Sequence, residues 1–202
     1  LTGSPIRREL LEGDRLTGLQ YAGLSADKPV ILVIGGSLGS VAVNNAVRSI
    51  LPELLKDFQV IHLCGKDKLD ASLNGTEGYV QFEYIKDELP DLFAAADLII
   101  SRAGANSICE ILALRKPNIL IPLSAAASRG DQILNARSFE KQGFSYVLEE
   151  ENLTSDTLLD AIKQVETNKQ VYIDAMAKSK QLDSIDTVIG LINEAAASKS
   201  KK

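Results

Sequence analysis

No uninterrupted apolar run in this chain approaches the roughly 20 residues that span a bilayer, and nothing near its start has the form of a signal peptide. The sequence therefore predicts a soluble chain. Basic runs are equally scarce. Apart from Lys199, Lys201 and Lys202, the 22 lysines and arginines are dispersed among 27 acidic residues, and the net charge of −5 argues against broad electrostatic binding of nucleic acid. Only two cysteines occur, Cys64 and Cys109, each inside an apolar stretch. They read as buried, reduced thiols of a cytoplasmic protein. Histidine occurs once, as His62, inside a strand pattern and on the same face as Cys64. One His with one Cys makes no zinc site, and His62 reads as a core histidine. The same scarcity disfavours a serine hydrolase: Gly35-Gly-Ser37-Leu-Gly39 fits the letters of Gly-x-Ser-x-Gly, but no histidine stands on a loop to serve Ser37. No internal repeat is visible.

At 202 residues and 45% hydrophobic composition, the chain can bury one good core. It begins Leu1-Thr-Gly-Ser-Pro5 without an initiator methionine, from which we expect an upstream segment and a domain boundary at the start. From Lys28 onward short β-rich runs alternate with helical patterns, the signature of βαβ units on a parallel sheet. Val30-Ile-Leu-Val-Ile34 is continuously apolar and reads as a central strand covered on both faces. A helix follows, roughly Ser40 to Leu55, with Val43, Val47, Ile50, Leu51 and Leu54 at helical spacing. Further strands are expected at Gln59 to Leu63, Tyr79 to Tyr84, Asp97 to Ser101, Asn118 to Ile121 and Ser145 to Leu148. Helices are expected at Glu88 to Ala95, Asn106 to Leu114 and Asp131 to Gln142. After Glu149 only helices follow, one capped at Thr154 or Ser155 and a later one near Ile185 to Ala196. The predicted fold is an α/β, open, mostly parallel six-stranded Rossmann-like sheet with helices on both faces. Residues 1–27 read as an interdomain connection and first segment, 28–196 as the sheet domain with its C-terminal helices, and 197–202 as a frayed tail. Ligands of such sheets bind beyond the carboxyl ends of the strands.

Three loops at those ends carry candidate chemistry. Gly35-Gly36-Ser37-Leu-Gly39-Ser40 joins a strand to a helix, so backbone can approach a ligand and a helix N-terminus can meet an anion. It lacks the Lys-Ser/Thr of a P-loop and the spacing of a dinucleotide fingerprint, and a strand-to-helix turn wants glycines for geometry alone. Ser101-Arg-Ala-Gly104-Ala105-Asn106 repeats the form, with Glu110 early in the next helix. Glu110 could accept two ribose hydroxyls or merely answer the helix dipole. The third loop leads into Asp131-Gln132-Ile-Leu-Asn135, where Asp131 or Ser128 could cap the helix. Gln132 and Asn135 lie three apart on one helical face and suit sugar hydroxyls or water.

Taken in order and spacing, Gly3-Ser-Pro-Ile-Arg7, Gly36-Ser37-Leu-Gly39, Ser101-Arg-Ala-Gly-Ala105 and Gln132-Ile-Leu-Asn135-Ala136 resemble the C-terminal domain of the MurG family. These are GT-B glycosyltransferases that transfer N-acetylglucosamine from its UDP donor to undecaprenyl-pyrophosphoryl-muramoyl-pentapeptide in peptidoglycan synthesis. The resemblance covers nearly the whole chain. It implies that Gly36, Ser37, Gly39, Ala105 and Asn106 meet the diphosphate, approached also by Arg7. It further implies that Glu110 binds the ribose, Ile85 the uracil, and Gln132 with Asn135 the sugar hydroxyls. Neither metal nor cofactor is implied, only UDP-N-acetylglucosamine as donor substrate. The catalytic base, the acceptor site and the membrane-facing patch are implied to belong to an N-terminal domain not in this sequence, so this chain alone would be inactive. The full enzyme would be peripheral on the cytoplasmic face of the plasma membrane. Leu38 and Asp131 depart from the residues that many relatives carry. Competing readings are another GT-B subunit of the dolichol-pathway type and a non-catalytic nucleotide-binding module.

Overall fold

The computed structural model describes residues 6–36, 39–125 and 130–179. Six strands form one wholly parallel sheet in the order β3-β2-β1-β4-β5-β6, where β1 is Val30–Ile34, β2 Gln59–Leu63, β3 Tyr79–Phe82, β4 Leu98–Ser101, β5 Asn118–Leu120 and β6 Tyr146–Val147. Between and after them run α2 (Val41–Asp57), α3 (Leu89–Ala95), α4 (Ala105–Leu114), α5 (Asp131–Lys141), α6 (Ser155–Thr167) and α7 (Lys169–Ala177), preceded by α1 (Arg15–Ala22). The continuous apolar run of β1 is explained by cover on both sides. Ile31 and Val33 join Val43, Val47, Leu158 and Ile162 in one core, whereas Leu32 joins Leu19, Leu92, Phe93 and Ile111 in the core on the other face. A third cluster, with Phe139 and Phe144 edge to face at 5.6 Å, packs α5 beside α4.

The first segment folds onto this frame. A 3-10 turn at Arg8–Glu12 leads into α1, capped by Asp14, whose carboxylate accepts from the Thr17 N–H at 2.8 Å. Arg15 forks onto Asp97 at 3.2 and 3.0 Å and donates to the Ala95 carbonyl at 2.6 Å. Gly18 brings the two helix backbones together: a Cβ there would lie 2.1 Å from the Asp91 carbonyl oxygen of α3. Later in the chain, α6 starts with a reciprocal cap in which Thr154 and Thr157 bond to each other's backbone N–H. The cap of α5 is Gly130, with Asp131 the first helical residue, so Asp131 is not the cap; Ser128 and the helix expected near 185–196 lie outside the described residues. Among the described residues no helix is long and apolar enough to cross a membrane.

Candidate functional site

β1 and β4 are neighbours, and each runs through glycine into a helix. After β1, Gly36 and Gly39 both have positive φ (86° and 68°), and the Gly39 N–H closes the turn onto the Gly36 carbonyl at 3.0 Å. Gly39 also packs directly on the end of β2, since a Cβ there would stand 2.0 Å from the Cys64 carbonyl oxygen. No residue but glycine fits. Ser37 and Leu38, the remainder of this loop, lie outside the described residues. Ser40 caps α2, its Oγ accepting from the Val43 N–H at 3.2 Å. After β4, by contrast, α4 begins at Gly104 with no side-chain cap, and among the described residues no side chain accepts from the N–H groups of its first turn.

These two turns wall a cavity of about 710 Å³, whose lining includes Gly36, Gly39, Ala105, Asn106 and Gln132. Gln132 is oriented by the Leu123 N–H, which donates to its Oε1 at 3.1 Å. Asn135, one helical turn on, is not part of the lining; its Nδ2 donates to the Ala103 carbonyl at 3.1 Å and ties α5 to the β4 turn. Arg102 and Glu150 also line this cavity, and neither was given a role from sequence. Arg102, buried, donates to the Ile121 and Pro122 carbonyls at 3.1 and 3.2 Å and to Ser40 Oγ at 2.6 Å, and pairs with Glu150. One guanidinium thus joins the loops after β1, β4 and β5. Arg102 stood inside the quoted Ser101-Arg-Ala motif, and Glu150 in the Glu149-Glu-Glu151 run, but nothing local marks either as a partner of the other.

A smaller hollow of about 170 Å³ meets the first at Gly36 and Ser107, and Ile34, Leu63, Ile85, Phe93, Arg7 and Glu110 contribute to its wall. Ile85 is buried here, on the loop after β3. Glu110 is buried as well, and both its oxygens accept from Arg7, at 2.8 Å from Nε and 3.2 Å from Nη2. Hydrogen bonding to Glu110 holds the Arg7 proton more firmly than usual, against a smaller opposing effect of burial. The larger hollow, with glycine backbone and an uncapped helix start, suits an anion. The smaller one, apolar with a single buried carboxylate, suits a flat ring bearing hydroxyls. Of the residues singled out from sequence, Gly36, Gly39, Ala105, Asn106 and Gln132 come together in the first hollow and Arg7, Ile85 and Glu110 in the second. Among the described residues no group of three or more His, Cys, Asp or Glu side chains could hold a metal ion.

Residues 30–189 match the model of the glycosyltransferase family 28 C-terminal domain. The UDP-N-acetylglucosamine--N-acetylmuramyl-(pentapeptide) pyrophosphoryl-undecaprenol N-acetylglucosamine transferase of Lachnoclostridium phytofermentans is 63% identical over 194 residues, and so is its counterpart in Lachnospira eligens. Each match takes in 96% of this chain but 55% of the relative, so the chain spans about half the length of the curated relatives it matches. Among solved structures, MurG of Acinetobacter baumannii superposes with a TM-score of 0.66 at 26% identity, covering 92% of this chain and 55% of that one.

Proposed function

The chain belongs to the glycosyltransferase family 28 C-terminal domains and, with them, to the MurG family, and from that membership we propose that its cleft holds UDP-N-acetylglucosamine for transfer to a lipid-linked muramoyl-pentapeptide. The observation that carries this reading is the pair of joined hollows at the carboxyl ends of β1 and β4, one built for an anion and one for a ring with hydroxyls. In it the uracil lies against Ile85 and the ribose hydroxyls donate to Glu110. The diphosphate lies between the glycine loop, Ser37 included, and the first N–H groups of α4 at Ala105 and Asn106. Gln132 reads the sugar hydroxyls, and Asn135 supports that reading from behind the lining by tying α5 to the β4 turn through the Ala103 carbonyl. Arg7 and the ribose compete for one carboxylate, so on binding Glu110 exchanges Arg7 for the hydroxyls and Arg7 turns to the diphosphate.

The reaction of the whole enzyme is, on this reading, an inverting displacement: an acceptor hydroxyl, relieved of its proton by a base, attacks the anomeric carbon and UDP leaves. The part of this chain is to stabilise negative charge growing on the departing diphosphate with preorganised N–H donors, a helix N-terminus and Arg7, so that no metal is needed. The base and the acceptor belong to a further domain at the cytoplasmic face of the membrane. Without it this chain binds donor and transfers nothing, because catalysis needs both reactants positioned.

Isothermal titration with UDP, UDP-N-acetylglucosamine and ADP tests the reading. Uridine-selective binding that is lost in Glu110→Ala is the expected result; equal affinity for ADP, or binding indifferent to Glu110, would overturn it.

A further inference from the structure

Behind Gly39 runs a chain of buried polar groups that lines neither hollow. His62, fully buried in β2, has Nε2 3.0 Å from Asn44 Oδ1 and Nδ1 3.0 Å from the Tyr79 hydroxyl. Asn44, also buried, sits in the first turns of α2, and its Nδ2 donates to the Cys64 carbonyl at 2.9 Å. The direction of every proton follows from the last acceptor. A carbonyl oxygen can only accept, so the amide nitrogen of Asn44 must face it and Oδ1 must face the imidazole. His62 then carries its proton on Nε2, and the bare Nδ1 accepts from Tyr79. The ring is neutral: burial, assisted by the charge of Arg48, pushes its pKa down from the ordinary 6.5 to about 3.

The carbonyl on which this chain ends is the one against which Gly39 packs. One residue later Ser40 caps α2, so the seat of Gly39 sets both the loop and the start of the helix. Burying an Asn and a His costs desolvation that apolar side chains would avoid, and a fixed carbonyl is what the two accomplish together. We propose that Asn44 and His62 are positioning residues for the diphosphate: they hold the Cys64 carbonyl as the seat of Gly39 and thereby fix where the N-terminus of α2, with Val41 and Ala42 in the cavity wall, stands toward it. This rests on the reading of the larger hollow as the diphosphate site of a uridine nucleotide.

The test compares UDP with uridine, which reaches only the hollow of Ile85 and Glu110. In the 202-residue chain, Asn44→Ala lowers UDP affinity roughly tenfold and leaves uridine affinity within about twofold, the change expected when one buried hydrogen bond stops holding the seat of Gly39. His62→Leu acts in the same direction, and His62→Gln, which keeps a donor toward Asn44, recovers most of the loss. Tyr79→Phe removes only the distal hydroxyl; its smaller, UDP-confined loss decides the matter if the core variants do not fold. Equal losses for UDP and uridine, or no loss in a folded variant, would overturn the positioning role. Wild-type protein that binds UDP no tighter than uridine would instead remove the diphosphate reading itself.

Discussion

The turn after β1 and the turn after β4 lie side by side with the same succession of strand, glycine and helix, yet they are finished differently. The first is fastened: Gly39 rests on the Cys64 carbonyl, Ser40 caps α2, and Arg102 holds the Ser40 hydroxyl. The second is open, because Gly104 gives α4 no side-chain cap. Adjacent turns of one sheet can thus divide the work of a binding site. One supplies a seat fixed on the end of β2, the other a helix start that its own cap residue leaves uncapped.

Acid should break the fastened side first and most. The pKa of His62 is lowered to about 3 from 6.5, so the folded state refuses a proton that the unfolded chain accepts. The stability this contributes is complete above about 6.5 and is lost as pH falls through that window, by up to ~1.4 kcal/mol per unit. Urea midpoints at pH 7 and 4.5 should therefore differ more for the wild type than for His62→Gln; equal differences would show that His62 does not carry the effect. Next in size is Gly39→Ala, which puts a methyl into a carbonyl at positive φ and should cost roughly 2 kcal/mol in urea unfolding. An unchanged midpoint would mean the turn is not fastened there.

On the open side, Glu110→Ala should lower UDP affinity by roughly 10- to 100-fold, through the ~1–3 kcal/mol of a lost charge-assisted bond, while melting changes little because its partner Arg7 is half-exposed. A large fall in melting temperature with unaltered affinity would reverse the assignment. The smallest expected effect sharpens the comparison most. Gly104→Ser has room for its side chain, the nearest atom to the new Cβ being 4.0 Å away, and would cap α4 as Ser40 caps α2. Stability should rise by a few tenths of a kcal/mol in denaturant titration while UDP binding weakens severalfold, two changes of opposite sign.

The central strands were legible because burial on both faces writes itself as an uninterrupted apolar run, as in Val30–Ile34. The glycine turns were legible because a strand that must turn at once into a helix has few other residues to use. α1 was not: it buries only Gly18, Leu19 and Ala22, exposes Leu16, and has almost no amphipathic period to read. Gln132 and Asn135 share a helical face as their spacing requires, but which of them lines the cavity is decided by the Ala103 carbonyl, 32 residues away. The Arg7–Glu110 pair joins positions 103 apart, and the Arg102–Glu150 pair joins two loops. Partners of that kind are set by topology, so local spacing carries no trace of them.

Gly18 lines neither hollow, yet it fixes how α1 lies on α3 and hence where the chain leading in from Arg7 stands relative to Glu110. Alanine would favour the helix by roughly 1 kcal/mol over glycine, but its methyl would overlap the Asp91 carbonyl. In a map of tolerated substitutions this buried position outside the cleft would therefore stand as dark as the glycine loop itself, a mark of backbone proximity that could be mistaken for ligand contact.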